Sequence, residues 1–309
     1  MRTKRKIGIA LCGGAARALS HIGVLKVLEE LGVELRAVAG TSMGSVIGAL
    51  YCSGVTLEEM ESYVRSMDWK SFLLFSELAL SKTGIINWRR VEEELKKFLG
   101  DKSFSDCCIP FCCVAVDLIT REKVVLSEGR LLDAVRASIA IPGFFSAVCM
   151  DNYVLVDGGV IEPLPTDSLK TMGVDFIIAS SIASERDREK YLIDFQDNKN
   201  HFSYNKERRS SGYEKENENA GDKIMGFKDK AKQKKQNTRR LSIRNVLDTS
   251  FSIIQREMTK NFLDMADIVI EPEVGDFRFF DLIHGSEIIR RGAEATRSKI
   301  PEIKRKLAL

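Results

Sequence analysis

The sequence predicts an α/β protein in which a mainly parallel sheet is sandwiched by helices, a three-layer α/β/α arrangement. Four continuous apolar runs are typical of strands that are covered on both faces, at residues 6–11, 34–39, 111–117 and 175–180. Helical patterns lie between these runs, and glycines follow two of them as stop signals. With 309 residues, 44% of them hydrophobic, the chain is long enough to bury a real core.

The helices can be assigned in chain order from the spacing of apolar residues. Residues 18–31 place four large aliphatic side chains at helical spacing and end at Gly32, and residues 88–99 repeat this pattern before Gly100. Residues 37–57 carry no charge and are long enough to cross a bilayer. Four glycines and several Ser and Thr residues in that stretch favour a strand, a tight turn and a buried helix instead.

A highly charged stretch at residues 185–244 divides the chain. Of its 60 residues 28 are charged, so it resembles an insertion that need not pack. We therefore predict a catalytic core at residues 1–184, the insertion, and a C-terminal helical part of the same domain at 245–309. The remaining predicted elements are strands at 123–126, 153–156 and 267–270, a helix at 245–262, and a basic helix from Ser286 onward.

Composition restricts the compartment and the cofactors. Seven cysteines are an odd number, which favours a reducing compartment, and no Cys or His spacing is typical of a zinc site. The apolar run at residues 7–12 is shorter than most signal-peptide cores and is soon followed by Arg17, which favours a first strand. We expect a cytoplasmic protein that uses neither metal nor cofactor. Membrane association and the oligomeric state stay open.

The charge balance differs between the insertion and the rest of the chain. The insertion holds 17 Lys and Arg against 11 Asp and Glu, whereas the remainder holds 30 against 33. The fold itself is therefore slightly acidic, and we expect no nucleic-acid partner.

A G-x-S-x-G pentapeptide, Gly40-Thr41-Ser42-Met43-Gly44, follows the second predicted strand and precedes a predicted helix. A strand-turn-helix setting holds the serine of such motifs in a strained, exposed position, where small neighbours avoid a steric clash. The helix N-terminus adds positive potential near developing negative charge. Ser42 is therefore the predicted nucleophile, flanked by Gly40 and Gly44. A Gly/Ser loop tolerated for packing is the alternative.

Residues 12–17 read Cys-Gly-Gly-Ala-Ala-Arg, follow the first strand and open the next helix. Backbone N–H groups in such a loop can converge on an anion. A nucleotide site is one interpretation, but the spacing is not G-x-G-x-x-G and no P-loop Lys-Ser/Thr follows. We favour an oxyanion hole beside Ser42, where such donors stabilise a tetrahedral intermediate.

A serine nucleophile needs a base, and the three histidines are poorly placed for that role. His21 lies one turn into the first helix, where a packed, hydrogen-bonded histidine is the better interpretation. His201 lies in the charged insertion. His284 precedes a helix start and stays a weak candidate.

Asp157 offers another route, because it ends a predicted strand and is followed by Gly158 and Gly159. Two glycines allow another backbone to approach the carboxylate closely. A carboxylate bonded to a serine hydroxyl can take its proton directly if a dry site raises the carboxyl pKa. An aspartate in a β-turn is the alternative.

Taken together, these motifs resemble the bacterial patatin-like phospholipases. The resemblance implies a Ser-Asp dyad formed by Ser42 and Asp157, and hydrolysis of lipid or lysophospholipid acyl esters through an acyl-enzyme. It also implies an oxyanion loop whose N–H donors and bracing side chain are Gly13, Gly14, Ala15 and Arg17. The matching blocks keep the family's order and spacing, at residues 7–24, 40–44, 109–120, 137–145, 153–165 and 266–292.

The chain departs from the family pattern at two places beside the predicted site. Cys12, Ala15 and Ala18 stand where the family usually has glycines. Because alanine carries a Cβ, we expect the backbone N–H of Ala15 to serve as a donor in this loop only if the φ of Ala15 is negative. Glu162-Pro163 replaces the usual Asn of the loop after the aspartate. Two alternatives therefore stay open, a regulatory or interaction protein with a degenerate site and a lipid acyltransferase.

Apolar and basic residues outside the motifs are candidates to contact a lipid substrate or a membrane. Phe144, Phe145 and residues 72–80 are candidates to line an acyl groove, with plain core packing as the alternative. Residues 228–244 contain eight Lys and Arg and one Asp, which favours peripheral contact with an anionic membrane or, alternatively, a solvated linker.

Overall fold

The computed structural model describes residues 5–66, 88–182, 243–277 and 281–309. The chain divides into two units, one comprising Met1–Ser184 and Asp248–Leu309 and the other Glu185–Leu247. Within the second unit the described residues are 243–247, which are helical. The predictions for residues 72–80 lie outside the described residues, as do those for nearly all of the charged insertion.

The described part of the first unit contains eight strands in one mixed sheet. The strand order is β5-β6-β3-β2-β1-β7-β8, and β4 also pairs with β3. The pairs β1–β2, β2–β3, β1–β7 and β7–β8 are parallel, and the pairs of β3 with β4 and β6 and of β5 with β6 are antiparallel. The strands are β1 Ile7–Leu11, β2 Leu35–Thr41, β3 Phe111–Asp117, β4 Lys123–Leu126, β5 Val148–Met150, β6 Tyr153–Asp157, β7 Phe176–Ser180 and β8 Ile268–Ile270.

Helices flank this sheet, so the predicted α/β fold with a mainly parallel sheet is confirmed. A 3₁₀ helix at Ala15–Leu19 leads into α1, so the predicted helix at residues 18–31 is two elements. The helices of the described residues are α1 Ser20–Glu30, α2 Met43–Cys52, α3 Leu57–Ser66, α4 Trp88–Leu99, α5 Leu131–Ser138, α6 Thr166–Thr171, α7 Ile243–Leu263, α8 Gly285–Ser298 and α9 Ile300–Leu307.

The central strands are buried, as their continuous apolar sequences predict. Every residue of β3 and β7 is buried, and β1 is buried apart from its first residue. The uncharged stretch at residues 37–57 forms strand β2, a turn and helix α2, as predicted. None of the described helices combines the length and the apolar character needed to cross a membrane.

The register of the strands brings three chain segments together at one end of the central strands. Leu11 at the end of β1 pairs with Gly40 of β2, and Thr41 at the end of β2 pairs with Val114 of β3. The next residue of β3, Ala115, pairs with Asp157 at the end of antiparallel β6. The loop after β1, the turn after β2 and the end of β6 therefore meet.

Candidate active site

Ser42 occupies the tight turn between β2 and α2 with φ 53° and ψ −129°. A non-glycine residue in this region costs on the order of 1–3 kcal/mol and persists only where its surroundings enforce it. The flanking glycines allow the turn: a Cβ on Gly40 would lie 2.5 Å from the Gly44 carbonyl oxygen. A Cβ on Gly44 would lie 2.3 Å from the Leu11 carbonyl oxygen. This geometry is that of a nucleophile turn.

The serine is strained but not exposed, and in this respect the sequence-based expectation is wrong. Ser42 is 2% exposed. A Cβ on Gly13 would lie 3.1 Å from both Ser42 Cβ and the Nε2 atom of Gln255. The loop after β1 therefore lies against the serine, and Gln255 of helix α7 lies near the same glycine, a packing that the local motif does not reveal.

Ser42 and Asp157 are joined by a short hydrogen bond. The Ser42 hydroxyl donates to Asp157 Oδ2 at 2.5 Å, and the Gly159 N–H donates to Asp157 Oδ1 at 2.7 Å. Asp157 is fully buried. Burial raises the pKa of Asp157 to about 7, although the hydrogen bonds from Ser42 and Gly159 oppose this rise.

The backbone around both side chains is fixed by strand β3. The Ser42 N–H donates to Ser138 Oγ at 3.0 Å, and the Ser138 hydroxyl donates to the Val114 carbonyl at 2.7 Å. A Cβ on Gly158 would lie 2.3 Å from that same carbonyl oxygen, so only glycine fits there. Sequence reasoning did not single out Ser138. Its one signal is its position in the family-like block at residues 137–145.

The loop after β1 offers fewer free donors than predicted. The Gly13 N–H already donates to the Pro163 carbonyl at 2.9 Å. The N–H groups of Gly14 and Ala15 have no hydrogen-bond partner among the described residues. The φ of Ala15 is 50°, so the negative φ expected for a donor at this position is not found. Arg17 Nε donates to the Phe277 carbonyl at 2.9 Å, a contact that links this segment to the chain after β8.

Glu162 and Pro163, which stand where the family usually has an Asn, anchor the loop that follows Asp157. The buried Glu162 carboxylate accepts hydrogen bonds from the N–H and hydroxyl of Ser168 and pairs with Lys123 at 2.9 Å. The Glu162 carbonyl accepts a bond from the Thr41 hydroxyl at 2.9 Å. Since the Pro163 carbonyl accepts from the Gly13 N–H, this loop holds both Thr41, which precedes Ser42, and the loop after β1.

The two histidines among the described residues do not contact Ser42 or Asp157. His21 is buried, donates to the Cys12 carbonyl at 2.9 Å through Nε2, and accepts from the Ser180 hydroxyl at 2.7 Å. Burial lowers the pKa of His21 to about 4, so it is neutral at pH 7. His284 is exposed and lies beside Phe277. His201 lies outside the described residues.

An apolar cluster adjoins the loop after β1. Phe144 is buried and Phe145 is partly buried, and both belong to this cluster, together with a phenylalanine from α7. The full cluster is Ala15, Ile141, Phe144, Phe145, Val160 and Phe251. It forms an apolar wall at Ala15, in the loop after β1.

The chain matches known proteins through this region. The family model described as patatin-like phospholipase matches residues 9–170, more than half of the chain. An uncharacterized NTE family protein of Mycobacterium tuberculosis is 33% identical over 177 residues, which are 57% of this chain and 49% of that protein. The human patatin-like phospholipase domain-containing protein 6 is 35% identical over 190 residues, 59% of this chain and 14% of that protein. The match thus spans half or less of these relatives.

Similarity to solved structures is weaker. VipD from Legionella pneumophila has a TM-score of 0.38 at 13% identity, over 97% of this chain and 77% of that one. At this score the likeness carries no argument about function. The family rests instead on the matched residues 9–170, which include Ser42, Asp157 and the loop after β1. The chain therefore belongs to the patatin-like phospholipase family.

Proposed function

We propose that this protein is a serine acyl hydrolase that cleaves lipid acyl esters, with Ser42 as nucleophile and Asp157 as base. The observation that carries the proposal is the 2.5 Å hydrogen bond from the Ser42 hydroxyl to the buried Asp157 carboxylate. An ordinary exposed aspartate is too weak a base for this task. A pKa of about 7 brings Asp157 into the range in which a general base works best.

Acylation begins when Ser42 Oγ attacks the carbonyl carbon of the ester and its proton passes to Asp157 Oδ2. The carbonyl oxygen becomes negative and accepts a hydrogen bond from the Gly14 N–H group. The bond from the carbonyl carbon to the leaving oxygen then breaks. That oxygen takes the proton from Asp157, and an alcohol or lysolipid departs.

Deacylation repeats the sequence with water. The water oxygen attacks the acyl-enzyme carbonyl while Asp157 accepts a proton from the water. The bond to Ser42 Oγ breaks, Oγ recovers its proton from Asp157, and the fatty acid departs. Each group ends in the state in which it began.

The lipid nature of the substrate is supported by the apolar wall and by the family. The cluster around Phe144 and Phe251 includes Ala15 of the loop after β1, so apolar side chains that suit an acyl chain adjoin the loop assigned to the ester carbonyl. The human relative carries phospholipase in its name. A panel of phospholipid, lysophospholipid and neutral acyl esters, assayed with the wild-type protein and Ser42→Ala, tests this proposal. Hydrolysis that is equal in both proteins contradicts it.

Two alternatives give different results in the same assays. An interaction protein with a degenerate site would neither hydrolyse esters nor react with a fluorophosphonate probe. An acyltransferase would react with the probe but would move the acyl group to an added lysolipid or alcohol instead of water. The intact dyad favours an enzyme over a degenerate protein.

Contact with anionic membranes is a further part of the proposal and rests on the basic residues 228–244. Each basic residue near an anionic surface contributes at most about 1 kcal/mol. Deletion of residues 185–244 should weaken binding to anionic vesicles while hydrolysis of a soluble ester is retained. Raised salt should mimic the deletion by screening. Equal vesicle binding by both proteins at low salt would leave the segment as a linker.

A further inference from the structure

Helix α7 brings a buried amide to the dyad. Gln255 lies on this helix and is 8% exposed, and its side-chain nitrogen Nε2 has no hydrogen-bond partner in the described part of the chain. A buried donor without a partner costs free energy, and an apolar side chain of similar size would avoid this cost. An unpaired amide in such a place is therefore a sign of a ligand contact.

The position of Nε2 is fixed by two glycines. A Cβ on Gly159 would lie 2.1 Å from Gln255 Nε2 and 2.9 Å from Asp157 Oδ1. A Cβ on Gly13 would lie 3.1 Å from both Nε2 and Ser42 Cβ. The amide nitrogen thus lies between the loop after β1 and the turn that holds Asp157. Neither glycine can carry a side chain without displacing it.

The same helix contributes to the apolar wall one turn earlier. Phe251 packs with Ala15 and Phe144 in the cluster that adjoins the loop after β1. Helix α7 therefore presents an apolar side chain toward the proposed acyl pocket and, four residues later, a hydrogen-bond donor toward the dyad. This is the combination expected of a helix that lines a substrate site.

The chemistry of the proposed reaction indicates which substrate atom the amide meets. Asp157 returns its proton to the leaving oxygen, so that oxygen must approach the carboxylate. The Gly14 donor belongs to the loop after β1 and is assigned to the carbonyl oxygen. Gln255 Nε2 is nearer to a Cβ placed on Gly159, at 2.1 Å, than to one placed on Gly13, at 3.1 Å, and the Gly159 Cβ would lie 2.9 Å from Asp157 Oδ1. The amide is therefore nearer to the carboxylate than to the loop after β1.

We infer that Gln255 contacts the substrate and donates a hydrogen bond to the leaving-group oxygen of the ester, an inference that rests on the proposed function. As the bond from the carbonyl carbon to this oxygen breaks, negative charge grows on the oxygen until the Asp157 proton arrives. A hydrogen bond donated to this oxygen is therefore stronger in the transition state than in the bound ester. Helix α7 is then part of the active site, although it follows the insertion in sequence.

The test compares two butyrate esters that share the acyl group but differ in the leaving group, a 4-nitrophenyl ester and an alkyl ester. Gln255→Met keeps a side chain of similar size and removes the amide. The kcat/KM of this variant for the alkyl ester should fall about tenfold or more. Its kcat/KM for the nitrophenyl ester should change about threefold at most, because the nitrophenolate oxygen carries negative charge without needing a hydrogen-bond donor. Since the amide has no partner among the residues that the structure describes, the unfolding midpoint should stay the same or rise.

Ile254→Met is the matched control, because Ile254 neighbours Gln255 on the same helix and is 45% exposed. It should leave both esters and the unfolding midpoint unchanged. Unchanged alkyl-ester hydrolysis in Gln255→Met would overturn the inference. Equal losses of kcat/KM on both esters, together with a lower unfolding midpoint, would also overturn the inference, because they would show that Gln255 stabilises the fold instead of contacting the leaving group.

The wild-type protein separates failure of this inference from failure of the proposed function. If it hydrolyses neither ester and resists a fluorophosphonate, the proposed function itself fails. A crystal structure of the wild-type protein with a phosphonate bound to Ser42 tests the inference without any variant. A phosphonate oxygen within hydrogen-bond distance of the Gln255 amide is expected. An amide that turns away from the adduct contradicts the inference.

Discussion

The hydroxyl of Ser42 and the carboxylate of Asp157 meet at 2.5 Å across 115 residues of sequence. Their contact follows from the sheet: Thr41 pairs with Val114, and Ala115 pairs with Asp157. Strand β3 thus carries the segments that present both side chains. Groups held by paired central strands are positioned rigidly, which a direct proton transfer requires.

Asp157→Asn should lower kcat by about 10²- to 10⁴-fold, because the amide preserves the shape of the side chain but cannot accept the serine proton. Steady-state hydrolysis of a soluble ester measures this effect. His284→Gln is the control and should keep full activity, since His284 is exposed and its ring contact is with Phe277. Full activity of Asp157→Asn, or its loss in a folded His284→Gln, would revive a histidine base.

The pH dependence of kcat/KM should report the raised pKa of Asp157. The free enzyme needs an ionised carboxylate, so kcat/KM should rise with pH, pass an inflection near 7 and level off above it. Below the inflection the rate should fall about tenfold for each pH unit. An inflection near 4, the range of an ordinary aspartate, would show that burial does not raise the pKa of Asp157.

Asp157 and His21 should drive stability in opposite directions with pH. The Asp157 pKa is raised from 3.8 to about 7, so the folded state holds its proton longer than the unfolded state. This contribution is present at low pH and is lost as pH rises from about 4 to 7, by up to about 4 kcal/mol. The His21 pKa is lowered from 6.5 to about 4, so its effect favours the folded state as pH rises over that interval.

Urea unfolding at several pH values measures these opposed effects as differences from the wild type. Between pH 4 and 7, Asp157→Asn should gain stability relative to the wild type as pH rises. His21→Gln should be destabilised at pH 7 by lost hydrogen bonds, and this deficit should shrink toward pH 4. Parallel curves for wild type and variants would contradict both pKa shifts.

Gly158→Ala should lower the free energy of unfolding by about 2–3 kcal/mol, because its Cβ would lie 2.3 Å from the carbonyl oxygen of Val114 in a central strand. Gly100→Ala is the matched control. Gly100 has a φ of 54° but no atom within 4 Å of the added Cβ, so only backbone strain of about 1 kcal/mol is expected. Equal losses in the two variants would mean that the strand yields to the added methyl group.

The sequence predicted the buried strands well and the site only in part. Strand β3 has the bounds that its apolar run predicts, because a strand buried on both faces has a continuous signal. Strand β5 has three residues and no such signal. The burial of Ser42 and the place of Gln255 depend on contacts between segments that are far apart in sequence. Local patterns do not encode such contacts, and they do not reveal the positive φ of Ala15.

Mass spectrometry after treatment with a fluorophosphonate shows directly whether Ser42 is the nucleophile. We expect one covalent adduct on the folded wild-type protein, mapped by peptide analysis to Ser42. We expect no adduct on Ser42→Ala and slow labelling of Asp157→Asn. Ester hydrolysis by a wild-type protein that carries no adduct, or an adduct on another residue, would show that Ser42 is not the nucleophile.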